Sequence, residues 1–218
     1  MARKVALFDL DGTLLRVDSA RLYTRFRRDR GEASWLDALR VAVWATQYTL
    51  GVIDAPKVAL KALRSFKGRD EHWLEQSCNE WFPGYVLPHV QQAGRRAVQQ
   101  HSAAGDFVAI VTGATRYVAE LVAAELGIAH VICSELELDQ ERRFTGRVIE
   151  PLCYGHGKIE RTRLVAEREG FRLEDATFYS DSITDLPLLE AVKAPVVINP
   201  DRRLRRIAQK RGWPIETW

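Results

Sequence analysis

The 218-residue sequence has few cysteines and no long uninterrupted apolar segment. Its three cysteines are too few and too scattered for a disulfide framework, and no pair has the spacing of a zinc knuckle. We therefore expect reduced thiols, as in a cytoplasmic protein. The most apolar long stretch, residues 35–53, is interrupted by Asp37 and Arg40, so it predicts an amphipathic helix and no membrane span.

The first residues lack the apolar segment of a secretion signal. Met1 is followed by Arg3, Lys4 and a short apolar run that ends in acidic residues, with no small-residue cleavage site. We therefore expect a cytoplasmic location.

Neither sign of charge dominates, because 32 basic residues stand against 29 acidic ones. The basic residues nevertheless cluster at 25–30 and at 202–211. Such clusters could bind polyanions. Neither is accompanied by an aromatic nucleic-acid motif, so we interpret both as solvated helix faces and expect no nucleic-acid partner.

What the sequence does contain is typical of a globular enzyme. Hydrophobic residues make up 46% and charged residues 28%, and a chain of this length can bury a sizeable core. Four short apolar runs each end in a polar or glycine-containing turn, which is typical of buried parallel strands. The predicted strands are Lys4–Leu10, Phe107–Val111, Ala176–Tyr179 and Ala194–Ile198.

Helical patterns alternate with these strands. They predict an α/β fold with a doubly wound, Rossmann-like parallel sheet. Residues 144–149, with the apolar run 131–138 before them, are interpreted as a small hairpin or extended excursion. The predicted helices are Arg116–Leu126, Lys158–Arg168, Thr184–Ala191 and Asp201–Arg211.

Residues 16–92 break the alternation. They show no convincing strand, and their helical stretches are punctuated by glycine and proline. We predict an all-helical insertion at 16–92, with residues 1–15 and 93–218 forming the core domain.

Two acidic residues follow the first predicted strand. Asp9 and Asp11 are two residues apart and precede a turn at Gly12 and Thr13. Two carboxylates so close need a cation or hydrogen-bond donors to stay ionised, and Mg²⁺ prefers such oxygen ligands. For this pair alone, a metal-free turn is the favoured interpretation.

Three further features follow later strands. Thr112 and Gly113 offer a hydroxyl and a bare backbone to a phosphate, and Lys158 offers a positive charge at the start of a helix. Asp181 could bind the metal, while Asp185 could hold Lys158 or a metal-bound water. The four features in this order predict a magnesium-dependent site for a phosphate ester.

The same residues resemble the motifs of a known superfamily. The chain is similar to the haloacid dehalogenase-like hydrolases, in the branch (subfamily IB) that resembles phosphoserine phosphatase, and the match covers nearly the whole chain. That resemblance implies a Rossmann-like core and makes residues 16–92 its helical cap. The matching segments are Phe8–Leu14, Ile110–Ala114, Lys158 and Tyr179–Asp185.

The resemblance also implies a role for each motif residue. Asp9 would be the nucleophile that becomes an aspartyl phosphate, and Asp11 the general acid and then the general base. Asp11 favours a phosphatase, because superfamily members that remove halogens lack an acid there. The implied phosphate-binding residues are Gly12, Thr112, Gly113 and Lys158. The implied magnesium ligands are Asp9, the Asp11 carbonyl and Asp181, with Asp185 in support.

Residues that would select the substrate are less clear. Asp18 lies nine residues after Asp9, where phosphoserine phosphatases carry an acid that binds the substrate amine. It could equally be the N-cap of a helix. Lys61, Arg64 and Lys67 are alternative candidates for binding a substrate carboxylate.

We expect hydrolysis of a small phosphorylated metabolite, such as phosphoserine or histidinol phosphate. One alternative is phosphotransfer to an acceptor alcohol. A lipid-phosphate phosphatase of the phosphatidylglycerophosphate type is another, and a polyanion-binding module without activity is a third. The lipid alternative rests on aromatic residues of the insertion, which could equally pack between helices. These aromatic residues are Trp35, Trp44, Tyr48, Trp73, Trp81 and Phe82.

Overall fold

A computed structural model of the chain describes residues 4–32 and 64–218. These ranges contain seven strands and seven α-helices. The strands are β1 (Val5–Phe8), β2 (Phe107–Thr115), β3 (His130–Leu138), β4 (Phe144–Ile149), β5 (Ala176–Ser180), β6 (Ala194–Ile198) and β7 (Ile215–Glu216). The helices are α1 (Ser19–Asp29), α2 (Glu71–Trp81), α3 (Gln92–Ala103), α4 (Arg116–Leu126), α5 (His156–Glu169), α6 (Leu186–Ala191) and α7 (Arg202–Arg211).

All seven strands form one sheet in the order β4-β3-β2-β1-β5-β6-β7. Every neighbouring pair is parallel except β3 and β4. This confirms the predicted doubly wound α/β fold. The chain continues from β1 to β2 on one side and reaches β5 on the other, and ligands of such sheets bind where the order reverses in this way.

Strand β1 lies in the middle of the sheet and is buried on both faces. Ala6 and Phe8 pack into one hydrophobic cluster, and Val5 and Leu7 into the other. A strand covered on both faces needs apolar side chains at every position, which explains its continuous apolar run.

The predicted hairpin of residues 131–138 and 144–149 is present, but its first strand also belongs to the main sheet. Strand β3 does pair with β4 in an antiparallel arrangement, but its first residues pair with β2, beginning with His130 opposite Ala109. It is therefore a full member of the sheet. The predicted helix at 184–191 is also shorter, because a 3₁₀ turn at Ile183–Asp185 precedes α6 and a proline occupies the first turn of that helix.

The described parts of the predicted insertion, residues 16–32 and 64–92, are helical. Besides α1 and α2 they contain the 3₁₀ turns Arg64–Phe66 and Leu87–His89 and a π-helical turn at Phe82–Val86. The extent of a separate cap domain stays a prediction. The predicted amphipathic helix at 35–53 lies outside the described residues.

The aromatic residues of this region that the structure describes pack between helices. Trp81 is buried and meets Tyr23 edge to face, with ring centroids 5.2 Å apart. Trp73 and Phe82 contact the same hydrophobic cluster. This supports the packing interpretation for these three residues, whereas Trp35, Trp44 and Tyr48 lie outside the described ranges.

The three cysteines are free and buried. Burial raises the pKa of the Cys78, Cys133 and Cys153 thiols to about 12, so all three are poor nucleophiles. In the ranges that the structure describes, no helix has both the length and the apolar character needed to cross a bilayer.

Candidate active site

Asp9 directly follows β1 and lies at the point where the strand order reverses. Its backbone N–H donates to the Tyr179 carbonyl at 2.9 Å, which extends the pairing of β1 with β5 by one residue. Its side chain is buried. The central strand therefore fixes this carboxylate at the carboxyl edge of the sheet.

The Lys158 ammonium bridges two carboxylates. Its Nζ lies 2.7 Å from Asp9 Oδ1 and 2.7 Å from Asp185 Oδ2, and the residue is only 3% exposed. Ser180, the last residue of β5, donates its hydroxyl to the same Asp185 oxygen at 2.7 Å. Charge-assisted hydrogen bonds of this length are strong and hold each partner in one geometry.

Glycine permits the tight turn that presents Lys158. A Cβ atom on Gly157 would lie 1.9 Å from the Leu152 carbonyl oxygen, a distance that no side chain tolerates. Gly155 has a φ of +54°, which favours glycine. The Gly155 and Gly157 pair thus brings the first turn of α5 close enough for Lys158 to reach Asp9.

The charges of this group are set by burial and by one another. Burial opposes the charge of Lys158, but the carboxylates of Asp185 and Asp9 outweigh it and raise the pKa of Lys158, so the ammonium stays charged. Burial raises the pKa of Asp9 to about 6, with Asp185 adding to the shift and Lys158 opposing it.

Asp181 follows β5 and packs against Gly12. A Cβ atom on Gly12, where φ is +81°, would lie 2.1 Å from Asp181 Oδ2. Asp181 Oδ1 is buried and has no hydrogen-bond partner among the described residues. Burial, followed by the charges of Asp9 and Asp185, raises the pKa of Asp181 to about 9. An orphaned carboxylate oxygen beside other carboxylates is what a bound cation would satisfy.

The predicted ligands have the chemistry that a magnesium ion requires. The carboxylates of Asp9 and Asp181 and the backbone carbonyl of Asp11 are all hard oxygen ligands. No three His, Cys, Asp or Glu side chains converge on one point within the described ranges. A site with two carboxylates, one carbonyl and several waters needs no third acidic side chain, and this is how Mg²⁺ is usually held.

The Asp11 carboxylate lies at the start of α1. Its two oxygens accept hydrogen bonds from the Ser19 backbone N–H at 2.8 Å and the Ser19 hydroxyl at 3.0 Å. Burial, followed by the charges of Asp18 and Asp9, raises the pKa of Asp11 well above its usual range, against the opposing effect of Ser19. A raised pKa favours the protonated form of the carboxyl group, which is the form that a general acid needs.

Asp18 is the N-cap of α1. Its Oδ1 accepts a hydrogen bond from the Arg21 backbone N–H at 3.0 Å. The predicted N-cap role of Asp18 is therefore confirmed. Ser19, the competing cap residue, is bonded to Asp11 instead. Binding of a substrate amine by Asp18 stays a prediction.

Thr112 and Gly113 lie near the end of β2, where the ladder with β3 is irregular between Val111 and Thr115. Thr112 is buried, and its hydroxyl oxygen accepts a hydrogen bond from the Ala114 N–H at 3.0 Å. The hydroxyl proton remains able to donate. Bulged strand ends of this kind often adjoin active sites, because they turn backbone groups out of the ladder.

Of the predicted basic substrate residues, Arg64 and Lys67 lie within the described ranges. Arg64 is exposed and opens a 3₁₀ turn that packs against β4, the edge strand of the sheet. The Gly68 N–H after this turn donates to the Phe144 carbonyl of β4 at 2.8 Å. Lys61 lies outside the described residues, and a role for any of these three residues stays a prediction.

A cavity of about 670 Å³ adjoins Gly12 and Asp181. Most of its lining residues were not predicted from the sequence. Asn199 follows β6, so the rule that binding sites gather at the ends of parallel strands could have identified it. The other lining residues that were not predicted show no recognisable sequence pattern. The remaining lining residues are Arg16, Pro88, Val90, Gln91, Gln92 and Trp218.

Comparison with known proteins identifies the class of enzyme that this fold and site define. Residues 6–190 match the family model of the haloacid dehalogenase-like hydrolases. The chain is 30% identical over 218 residues to a histidinol-phosphatase of Neisseria meningitidis, covering 98% of each sequence. It is 33% identical over 214 residues to a phosphoserine phosphatase of Mycobacterium tuberculosis, covering 96% of this chain and 69% of that one. The chain therefore belongs to the haloacid dehalogenase-like hydrolases and is a phosphatase.

Solved structures agree with the fold. A Bordetella pertussis protein of unknown function has a TM-score of 0.89 at 33% identity, covering 99% of this chain and 98% of that one. A phospho-aspartyl intermediate analogue of phosphoserine phosphatase has a TM-score of 0.71 at 18% identity, covering 99% and 93%. The second likeness, at this identity, concerns the fold alone.

Replacing Gly12 by alanine tests the contact with Asp181. Gly12→Ala would force a Cβ into the Asp181 carboxylate, so we expect kcat for an aryl phosphate to fall by about tenfold or more, a barrier change of about 1.4 kcal/mol. Gly127→Ala is the matched control, because Gly127 also has a positive φ, +70°, but has nothing within 4 Å of the added Cβ. Both variants should lose about 1 kcal/mol of stability through backbone strain. Wild-type kcat in Gly12→Ala would contradict this account of the contact.

Metal addition tests the role of Asp181 without an activity assay. Mg²⁺ should raise the melting temperature of the wild-type protein, because a ligand that binds the folded state stabilises it. Asp181→Asn should abolish the shift, and the metal-free variant should be at least as stable as the wild type, since the amide removes repulsion between buried carboxylates. Asp175→Asn, an exposed position, is the control. An undiminished shift in Asp181→Asn would rule out Asp181 as a ligand.

Proposed function

We propose that this phosphatase is a magnesium-dependent phosphomonoesterase that works through an aspartyl phosphate on Asp9. Its substrate is a small phosphorylated metabolite, an amino-acid-like or amino-alcohol phosphate. The observation that carries the proposal is the buried Asp9 carboxylate at the carboxyl end of the central strand, bonded to Lys158.

The first step is nucleophilic attack by Asp9 on the phosphorus of the ester. Lys158 donates to Asp9 Oδ1, which orients the carboxylate so that its other oxygen attacks in line with the leaving alcohol oxygen. The bond from phosphorus to that alcohol oxygen breaks as the acyl phosphate forms. Because the Asp9 carboxylate is held in place before substrate binds, ordering this side chain adds little to the activation free energy of the attack.

Asp11 supplies and then removes the protons. As the ester bond breaks, it protonates the departing alkoxide. The resulting carboxylate then takes a proton from the water that attacks the phosphorus of the aspartyl phosphate. The bond from phosphorus to Asp9 breaks, which frees the Asp9 carboxylate, leaves Asp11 protonated again and releases inorganic phosphate. Ser19, which donates to both Asp11 oxygens, keeps the carboxyl group in one orientation.

The transferred phosphoryl group needs positive and hydrogen-bonding partners for its equatorial oxygens. The Thr112 hydroxyl, the backbone N–H groups of Gly12 and Gly113 and the Lys158 ammonium would supply them. These four groups come from three segments, which are the loop after β1, the end of β2 and the first turn of α5.

Asp9, Asp181 and the Asp11 carbonyl would hold the magnesium ion. When bound, this ion would neutralise the charge that accumulates between the carboxylates and the phosphoryl oxygens. Asp185 serves the site indirectly by holding Lys158 through Oδ2.

Substrate selection would fall to the helical insertion, residues 16–92, acting as a cap over the site. The names of the relatives point to phosphates of histidinol and serine, which share an amino group. Asp18 lies close enough to Asp11 to influence its pKa, so an ammonium group bound by Asp18 would be near the reacting phosphate. This supports an amine-bearing alcohol as the substrate class.

Replacing the nucleophile gives the direct test. Asp9→Asn should abolish magnesium-dependent hydrolysis of an aryl phosphate, a loss of at least about 10³-fold, because an amide cannot form the acyl phosphate. Asp175→Asn should retain full activity. Circular dichroism and thermal unfolding would establish that both variants are folded. Turnover by folded Asp9→Asn at the wild-type rate would refute the mechanism.

A further inference from the structure

We propose that Gln91 is a positioning residue that holds the catalytic loop, residues 11–13, in its active geometry. The effect on catalysis rests on the function proposed above, whereas the effect on the loop itself does not. Gln91 comes from the far end of the helical insertion, 78 residues from the loop in sequence, and no catalytic motif contains it.

The contact is short and buried. Gln91 Nε2 donates to the Thr13 carbonyl at 2.6 Å, Gln91 is 8% exposed and Thr13 is fully buried. A buried carbonyl that loses its donor carries the full cost of its desolvation. The loop conformation with the Thr13 carbonyl directed at Gln91 is therefore favoured over alternatives that leave this oxygen without a partner.

Backbone pairing brings Gln91 to this position. The segments that lead into and out of the insertion run antiparallel, with Leu15 bridged to Val90. The Arg16 N–H donates to the His89 carbonyl at 3.0 Å, and the Gln91 N–H to the Leu14 carbonyl at 2.8 Å. With its backbone fixed beside Leu14, the Gln91 side chain reaches one residue further back, to Thr13.

In the described residues, the other backbone hydrogen bonds of the loop do not involve the Thr13 carbonyl. The Leu15 N–H donates to the Leu10 carbonyl at 2.8 Å, and the Thr13 N–H donates to the same carbonyl at 3.3 Å, a long hydrogen bond. Gly12, which precedes Thr13, packs against Asp181 and has the conformational freedom of glycine. Movement of the Thr13 carbonyl would therefore shift the Gly12 N–H and the Asp11 carbonyl, the groups proposed to bind phosphate and magnesium.

Gln99 provides a control in the helix that follows Gln91. It lies in α3, is exposed and is not among the residues that line the cavity. In the described part of the chain its side chain makes no hydrogen bond to the loop. The same substitutions at 91 and 99 thus change the same chemistry, but only Gln91 touches the catalytic loop.

The experiment compares Gln91→Met, which cannot donate, and Gln91→Glu, which cannot donate while ionised, with Gln99→Met and Gln99→Glu. Kinetics with an aryl phosphate would give kcat, KM and the magnesium concentration for half-maximal rate. Amide hydrogen exchange would follow the peptide covering residues 10–15. We expect both Gln91 variants to lose about tenfold in kcat with less change in KM, and to exchange faster in this peptide. Both Gln99 variants should stay within about twofold of the wild type.

A rescue variant separates positioning from general destabilisation. Gln91→Lys keeps a donor that can reach the Thr13 carbonyl, so it should retain more activity and slower loop exchange than Gln91→Met. If Gln91→Met does not fold, the comparison of the Lys and Glu variants decides the question. Wild-type kcat and unchanged loop exchange in the non-donating variants would overturn the proposal. A wild-type protein without phosphatase activity would refute the proposed function, while hydrogen exchange would still test the role of Gln91 in the loop.

Discussion

A buried ammonium between two buried carboxylates is the interaction on which the rest of the site depends. When Asp9, Asp181 and Asp185 are all ionised, Lys158 neutralises one of the three charges and two negative charges remain in a region shielded from water. Uncompensated buried charge costs several kcal/mol per ion. A proton reduces this cost, because burial and the neighbouring carboxylates raise the pKa of Asp181 to about 9. A divalent cation would balance the charges without that proton, which supports the proposed magnesium site.

The fold makes this arrangement possible because it gathers distant segments at one edge. Asp9 follows β1, Thr112 ends the regular part of β2, and Asp181 follows β5. Because β1 lies between β2 and β5, parallel pairing alone places these three positions side by side. Lys158 approaches from a helix outside the sheet and depends on Gly157 for its close approach. The sheet thus supplies the carboxylates and the hydroxyl, and the helical layer supplies the cation.

Local sequence patterns were sufficient for the core strands, and the motif residues Asp9, Lys158 and Asp185 do meet in the structure. The bounds of β6 and α4 agree with the prediction, because buried strands and amphipathic helices have distinct periodicities. The predicted hairpin is present, but the parallel pairing of β3 with β2 was not predicted, since the two halves of β3 pair with different partners in opposite directions. The two-residue strand β7 is too short to leave a pattern.

Contacts between distant segments could not be predicted. The bond from Gln91 to Thr13 depends on how the two ends of the insertion pair, and no local pattern records such pairing. The turn that begins at Arg64 packs against the edge strand β4, and the position of Arg64 in the sequence does not reveal this contact. The sequence thus identified candidate residues by their chemical type. It did not predict which of them tertiary packing brings into contact.

The central claim is that Asp9 itself carries the phosphoryl group during turnover. Acid quenching of the enzyme during hydrolysis of a substrate labelled in its phosphoryl group, followed by peptide mapping under acidic conditions, measures this directly. The account predicts label on the peptide that contains Asp9, lost on treatment with hydroxylamine as expected of an acyl phosphate. Label on a different residue, or turnover without any labelled protein, would contradict it.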